Sequence, residues 1–423
     1  MILACVGLYL VHLGFIYRYA VDVPYWDEWA LFAQPEFTWS WAVAQTNEHR
    51  IVLTRLSIWA MYYLDGWNLR TNQLGNFVLY GVLLVSLVRF GRRVSPSTPG
   101  WVTAAFLIFL LTPINWYNHT FGLQSSFHFA MLFLVLAAYH LFDTDQRPAS
   151  VLAGAACTVL AIASWFGGLV GAVVLVVVFT AFTLARGARA RDTSQLAVLL
   201  TAAGLAVALY FIGYQSVAGH PPMTWPDTGL FWAFFVNVVS WGFGFETVST
   251  WLGTFTALVV LAPMVIEAWM RRGRLPAAGW ALYGLTLGIL AIIGAITAGR
   301  AGFTVGGPKA YRFSDVTLML VPLTVFAWGR LLRDRPALQH GVVLGLWLFC
   351  AIGFSYKWSW FPIYRMEAQR REAGLTCLRE YYTYGGAGDC PTLYPFPAAY
   401  LFGRAKDANL SFYRRLMKES HYQ

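Results

Sequence analysis

Apolar runs of membrane-crossing length recur from the first residues of this chain to about Trp358, and that recurrence limits the fold more than any other feature of the sequence. About 20 apolar residues cross a bilayer as a helix, because a helix satisfies its own backbone N–H and C=O groups inside hydrocarbon. Runs at 2–16, 74–88, 101–114, 127–142, 151–163, 169–185, 196–212, 251–270, 280–298, 316–332 and 342–354 predict about eleven such helices and an all-α polytopic membrane protein. Charged residues make up 12% of the chain, against roughly 25% in a soluble domain, so no separate soluble domain fits before residue 359. The run 2–16 has neither a basic leader nor a small-residue cleavage site and reads as a retained first span.

The net charge of +10 does not point to nucleic acid, because the arginines sit in short clusters between apolar runs. Arg89, Arg92 and Arg93, then Arg147, then Arg186, Arg189 and Arg191, then Arg271, Arg272 and Arg274, then Arg330, Arg333 and Arg335 all fall on one side of an eleven-span layout. By the positive-inside rule that side is cytoplasmic, which puts the N-terminus inside and both the first loop and the tail outside. Two segments test the count. Ser164-Trp165-Phe166-Gly167-Gly168 interrupts 151–185, predicting two short helices joined by a glycine turn, and 230–245 is crowded with Phe and Trp, as in an interfacial or re-entrant helix.

The layout is therefore a membrane module over 1–358 and a small extracytoplasmic cap over 359–423. Within the first, the external loop 20–73 carries Trp, Leu and Ile at helical spacing, so surface-lying helices are expected at 28–45 and 50–64, with Arg55 arguing against a true crossing by the second. Cys377 and Cys390 bracket a Tyr/Gly-rich turn of the cap and suit a disulfide in an oxidising compartment. Abundant Ala, Gly and Arg with little Lys hint at a bacterial inner-membrane protein.

Directly after the first span stands Asp22-Val23-Pro24-Tyr25-Trp26-Asp27-Glu28-Trp29, with acids among aromatics at the membrane surface. Desolvation there raises a carboxyl pKa, which suits a general base for a weakly acidic hydroxyl; the alternative is that Asp27 and Glu28 cap a helix. Further polar groups on the same side are Asn47-Glu48-His49-Arg50, the loop from Arg300 through Lys309 to Arg312, Trp165 in the glycine turn, and Asn115, Asn118, His119 and Gln124. Arginines that break the positive-inside rule near glycines suit a phosphate, whereas Arg312 could equally pair with Asp315. The Asn/His/Gln set could bind sugar hydroxyls or simply mark the interface, and His49 could shuttle a proton or make a structural hydrogen bond. His128 and His140 fall in a span and read as buried and satisfied; Glu267 reads as a local salt bridge, and no His or Cys pair has zinc-ligand spacing.

The Asp-Glu pair after the first span, Asn47-Glu48-His49-Arg50 and Phe121-Gly122-Leu123-Gln124, followed by about ten further spans, resemble the GT-C superfamily of membrane glycosyltransferases, which includes protein mannosyltransferases and lipid A aminoarabinose transferases. The resemblance implies a GT-C-like bundle that takes a sugar from a polyprenyl-phosphate donor and gives it to a glycan, lipid or protein acceptor on the outer face, without nucleic acid. It implies Asp27 as the base in a single inverting displacement, and Glu28 beside it holding acceptor or a divalent metal, Mg or Mn. Chemistry alone adds Arg300, Lys309, Arg312 and Arg50 as phosphate ligands, with Glu48, His49, Asn118, His119, Gln124 and Trp165 toward the substrate. A flippase for lipid-linked saccharide and an O-antigen polymerase or ligase are the alternatives; a transporter would be expected to show ionisable residues near the midplane and related halves.

Overall fold

A computed structural model describes the chain except for residues 33–37, 144–146, 188–189, 218–219, 273, 304–310, 387 and 421–423. It is all-α apart from one two-residue antiparallel ladder, Gln45–Thr46 with His49–Arg50. Among the described residues, nine helical stretches are long and apolar enough to cross a membrane, and they coincide with nine of the eleven expected spans. The other two expected spans are helical but fall short. Pro148–Ser164 is a shorter apolar helix, and 316–332 is divided into Ser314–Leu318 and Leu320–Leu331 by a break at Met319. The segment expected at the interface forms a helix of only 13 residues, Gly229–Trp241, begun by Thr228, whose Oγ1 accepts from the Phe231 N–H.

Large apolar side chains cover the outside of the bundle, as lipid contact requires and water would not tolerate. Trp251 and Trp269 stand exposed near the two ends of Thr250–Met270, about 27 Å apart at 1.5 Å rise per residue, which matches the thickness of a hydrocarbon core. The glycine turn divides its helices as the sequence suggests. Pro148–Ser164 ends and Phe166–Ala185 begins around Trp165, whose extended backbone breaks the helical ladder. A Cβ on Gly168 would lie 2.1 Å from the Ala161 carbonyl oxygen, so only glycine allows the two helices to approach this closely.

A second hydrophobic core lies apart from that of the bundle and is shared by the first loop and the tail. Trp29 is packed edge-on against Phe402 at 4.8 Å and Phe412 at 5.6 Å, while Asp22 latches the layer from below. Its Oδ1 accepts from the Leu69 N–H at 2.9 Å and its Oδ2 from the Ser411 hydroxyl at 2.9 Å. The tail consists of Pro362–Tyr384, Ala399–Asp407 and Ser411–Ser420, joined across its turn by the Cys377–Cys390 disulfide.

One expectation for the first loop is corrected. The helix at 50–64 is present as Val52–Asp65, but no continuous helix covers 28–45. Trp26–Phe32 is a 3-10 turn, and Trp39–Val43 begins afresh at Thr38, whose Oγ1 accepts from the Trp41 N–H. Arg55 is buried against Trp41 and donates to the Trp41 carbonyl and the Thr46 hydroxyl, tying Val52–Asp65 to the ladder. At the opposite end of the bundle Glu267 is paired with Arg271 and Arg330 and accepts from the Tyr283 hydroxyl, the local salt bridge its surroundings suggest.

Candidate active site

Asp27 is held in position by a strained neighbour. Trp26 has φ of 47°, a left-handed conformation uncommon for a bulky residue, and its N–H donates to the Leu393 carbonyl at 2.8 Å. Leu393 and Tyr394 both donate through their backbone N–H to the Cys390 carbonyl, so the disulfide turn of the tail forms a wall beside Asp27. The Asp27 carboxylate is half-buried and, among the described residues, accepts no hydrogen bond and makes no ion pair. Desolvation raises its pKa, opposed by the charges of Arg312 and Arg300 and reinforced by that of Glu48. Residues from the beginning, the first ladder and a loop near position 300 thus act on a single acid.

Glu48 and His49 reach the site on the ladder, which turns at Asn47 with φ of 49°, a conformation that asparagine tolerates. Glu48 Oε1 is paired with the Arg300 guanidinium, while Glu48 Oε2 and His49 Nδ1 are buried without a hydrogen-bond partner. Burial works against the charge of Glu48, but His49 and Arg300 outweigh it and hold the carboxyl below its usual range. Burial also drives the His49 imidazole down to about 4, so it is neutral near pH 7. Trp165 stands 5.7 Å from the His49 ring, which brings the glycine turn to the same place. Arg312 has no carboxylate partner among the described residues; the pairing with Asp315 that would make it a simple anchor is not formed.

Glu28 faces the other way. Its Oε1 accepts from the Gly122 N–H at 2.8 Å and its Oε2 from the Tyr25 N–H at 2.9 Å, and burial pushes its pKa up to about 7 against the nearby charge of Arg371. Glycine is required at 122, because a Cβ there would lie 1.6 Å from Asn72 Oδ1. With both oxygens engaged by backbone N–H groups, Glu28 anchors the Phe121-Gly122-Leu123-Gln124 turn and does not fit a metal ligand or an acceptor-binding group.

Arg50 is corrected as a phosphate ligand. Its guanidinium donates to the carbonyls of Val43, Tyr210 and Ile212, sealing the end of the helix Ala190–Phe211. Lys309 lies outside the described residues. Asn118 and His119 are wholly buried and Gln124 nearly so, and Asn118 Nδ2 is already engaged by Asp315 and the Arg312 carbonyl, so Asn118 does not fit a sugar ligand.

Asn115 and Asn118 instead belong to a network around Asp315, a residue that sequence reading treated only as a possible anchor. Asp315 Oδ1 accepts from Asn115 Nδ2 at 2.6 Å, and Oδ2 accepts from Asn118 Nδ2 at 2.6 Å and lies 2.8 Å from His128 Nε2. His128 Nδ1 is 2.6 Å from Asn76 Oδ1, whose amide nitrogen is turned to backbone carbonyls, so Nδ1 donates to that oxygen. His119, His128 and Asp315 offer ligand atoms within 4.8 Å of one another, and His119 Nε2 is buried without a partner. Two imidazoles and a carboxylate suit zinc or manganese better than magnesium. Spacing along the chain could not reveal this trio, since residues 119, 128 and 315 meet only through the packing of the helices.

Sequence reading also missed Arg371, in the tail helix Pro362–Tyr384. It is 2% exposed, lies over the Tyr25 ring at 4.7 Å, and has its Nε and Nη2 buried without a hydrogen-bond partner. Comparisons with protein-family models, curated proteins and solved structures find no match to this chain.

Proposed function

We propose that this protein is an integral membrane glycosyltransferase of GT-C type, which moves a sugar from a polyprenyl-phosphate donor to an acceptor hydroxyl on the extracytoplasmic face of a bacterial inner membrane. The observation that carries the reading is the convergence on Asp27 of Arg300 and Arg312, residues nearly 300 positions away in the chain. An acid that accepts no hydrogen bond and a cation that makes no ion pair among the described residues are the pairing that a proton transfer and an anionic leaving group need together.

In this mechanism the acceptor O–H gives its proton to Asp27 as its oxygen attacks the anomeric carbon. The bond from that carbon to the lipid phosphate breaks, its electron pair leaves with the phosphate, and the sugar is inverted. Arg312 neutralises the departing oxygens, and Arg300 is oriented beside it by Glu48. Burial makes Asp27 a stronger base than a solvated aspartate, and Glu48 Oε2, His49 Nδ1 and the Trp165 face supply contacts for sugar hydroxyls and the ring. The disulfide in the tail that packs beside Asp27 supports an oxidising, external location. No step of the displacement is routed through a metal; a divalent ion, if used, is better matched by His119, His128 and Asp315 than by Glu28.

A carrier for lipid-linked saccharide draws on one observation, the ionisable residues His128 and Asp315 buried in the bundle. The test separates the two. Purified protein given a polyprenyl-phosphate sugar and a mixture of envelope acceptors is expected to release free polyprenyl phosphate; an intact donor appearing on the opposite leaflet of a vesicle, with no release, would overturn the transferase reading.

A further inference from the structure

Arg371 is the least explained charge in the molecule. A guanidinium taken out of water is tolerated when its donors are satisfied by a carboxylate or by carbonyls, because an uncompensated buried charge is worth several kcal/mol of instability. Here Nε and Nη2 are buried and unsatisfied. Glu28 feels the charge of Arg371 but is outside ion-pair distance and already accepts two backbone N–H groups, and Glu367, four residues back on the same helix, reaches Arg370 at 4.0 Å. The aromatic face of Tyr25 provides a partial cation–π partner, and Arg370 bears on the same ring from 5.6 Å, so two guanidinium groups share this corner, with Glu28 held by backbone N–H groups and Glu367 reaching Arg370.

The position of Arg371 links it to the site around Asp27. The helix Pro362–Tyr384 and the turn Tyr311–Phe313 both pack on the short helix Trp116–Thr120. On that helix the Tyr117 phenol feels the charges of Arg312, Asp27, Tyr25 and Arg371 together. Arg312 and Arg371 therefore approach one side chain from different parts of the fold, and neither has an ion pair among the described residues. Two arginines without ion pairs among the described residues, both acting on one phenol, match the oxygens of a phosphoryl group, which accept from guanidinium in a bidentate way and from a phenol O–H in addition.

We propose that Arg371 is a ligand for a phosphoryl oxyanion, which it holds jointly with Arg312 and Tyr117, so that the C-terminal region contributes directly to the binding site. This rests on the transferase reading for the identity of the oxyanion as the donor's phosphate, but the seat itself follows from the unsatisfied Nε and Nη2 of Arg371 and the packing of its helix against the helix of Tyr117.

The experiment uses the full chain in detergent, titrated with inorganic pyrophosphate against sodium chloride of equal ionic strength, with calorimetry and the thermal midpoint as readouts. The wild type is expected to bind pyrophosphate saturably and to melt higher with it. Arg371→Met is expected to weaken binding about tenfold or more, the cost of losing a charged hydrogen-bond pair, yet to melt no lower than wild type without ligand, because two of the donors removed are buried and unsatisfied. Arg371→Lys, which keeps the charge but not the fork, is expected to fall between the two. A merely structural arginine gives the opposite pattern: a lower midpoint without ligand and an unchanged pyrophosphate affinity in both variants, and that result overturns the proposal. Adding polyprenyl phosphate in phosphatidylcholine nanodiscs then identifies the source. Displacement of pyrophosphate assigns the seat to the lipid donor; binding without displacement leaves the seat standing and overturns the donor reading.

Discussion

The two polar clusters of this molecule contain similar residues and dispose of their charge differently. Around Asp315 every carboxylate oxygen receives a donor from Asn115, Asn118 or His128, in surroundings closed to water. Around Asp27 the carboxylate accepts nothing from the described residues, and Arg312 and Arg371 stand without ion pairs among them. A charge that finds its counterpart within the fold serves the fold, since low dielectric makes each pairing strong and each loss expensive. A charge left without one, at the cost of desolvation, is what a ligand of opposite charge would satisfy.

The largest effect that tests this contrast is on turnover. Asp27→Asn is expected to reduce release of polyprenyl phosphate by a factor on the order of 10² to 10⁴, the usual worth of a general base, with the melting midpoint unchanged. Full activity in that variant would move the base elsewhere and dissolve the distinction between the clusters. Next in size, Asp315→Ala is expected to destabilise the protein by about 3–5 kcal/mol in detergent, because it leaves His128 and two amides without their acceptor. A stable Asp315→Ala variant that lost only activity would make the buried network part of the chemistry.

Breaking the Cys377–Cys390 disulfide in Cys377→Ser is expected to cost about 2–4 kcal/mol, read as earlier protease cleavage of the tail. Turnover should fall with it, because the turn held by Cys390 carries the Leu393 carbonyl that fixes Trp26. The smallest effect concerns Glu28, whose carboxyl is raised by burial from 4.5 to about 7. A folded-state acid that binds its proton more tightly than the unfolded chain loses stability as pH rises from about 4.5 to 7. Stability is thus expected to fall by up to the order of 3 kcal/mol across that window, and a Glu28→Gln variant should show a flatter dependence. A stability that rises over the same range would mean that the carboxylate is held ionised by its two backbone donors.

The sequence by itself determined the class of the molecule. Apolar runs and arginine clusters specify helices in lipid because an unsatisfied backbone group there is so costly that few other solutions exist, and all eleven expected runs are helical, nine at spanning length among the described residues. The glycine turn at 164–168 was legible for the same local reason, as was the salt bridge of Glu267. Asp27 was legible as an acid beside the membrane, but its neighbour Glu28 looked identical in the sequence and is engaged by the Gly122 and Tyr25 N–H groups.

Only the tertiary structure decided which polar residues are spent and which are free. Arg50 and Arg312 are both arginines near other polar residues; one is consumed by three carbonyls, and the other makes no ion pair among the described residues. Arg371, His128 and Asp315 gave no local signal, because their meaning lies in neighbours about 200 to 350 positions distant. The periodicity of a segment follows from its own residues, whereas the satisfaction of a hydrogen-bonding group depends on whatever the rest of the chain brings to it.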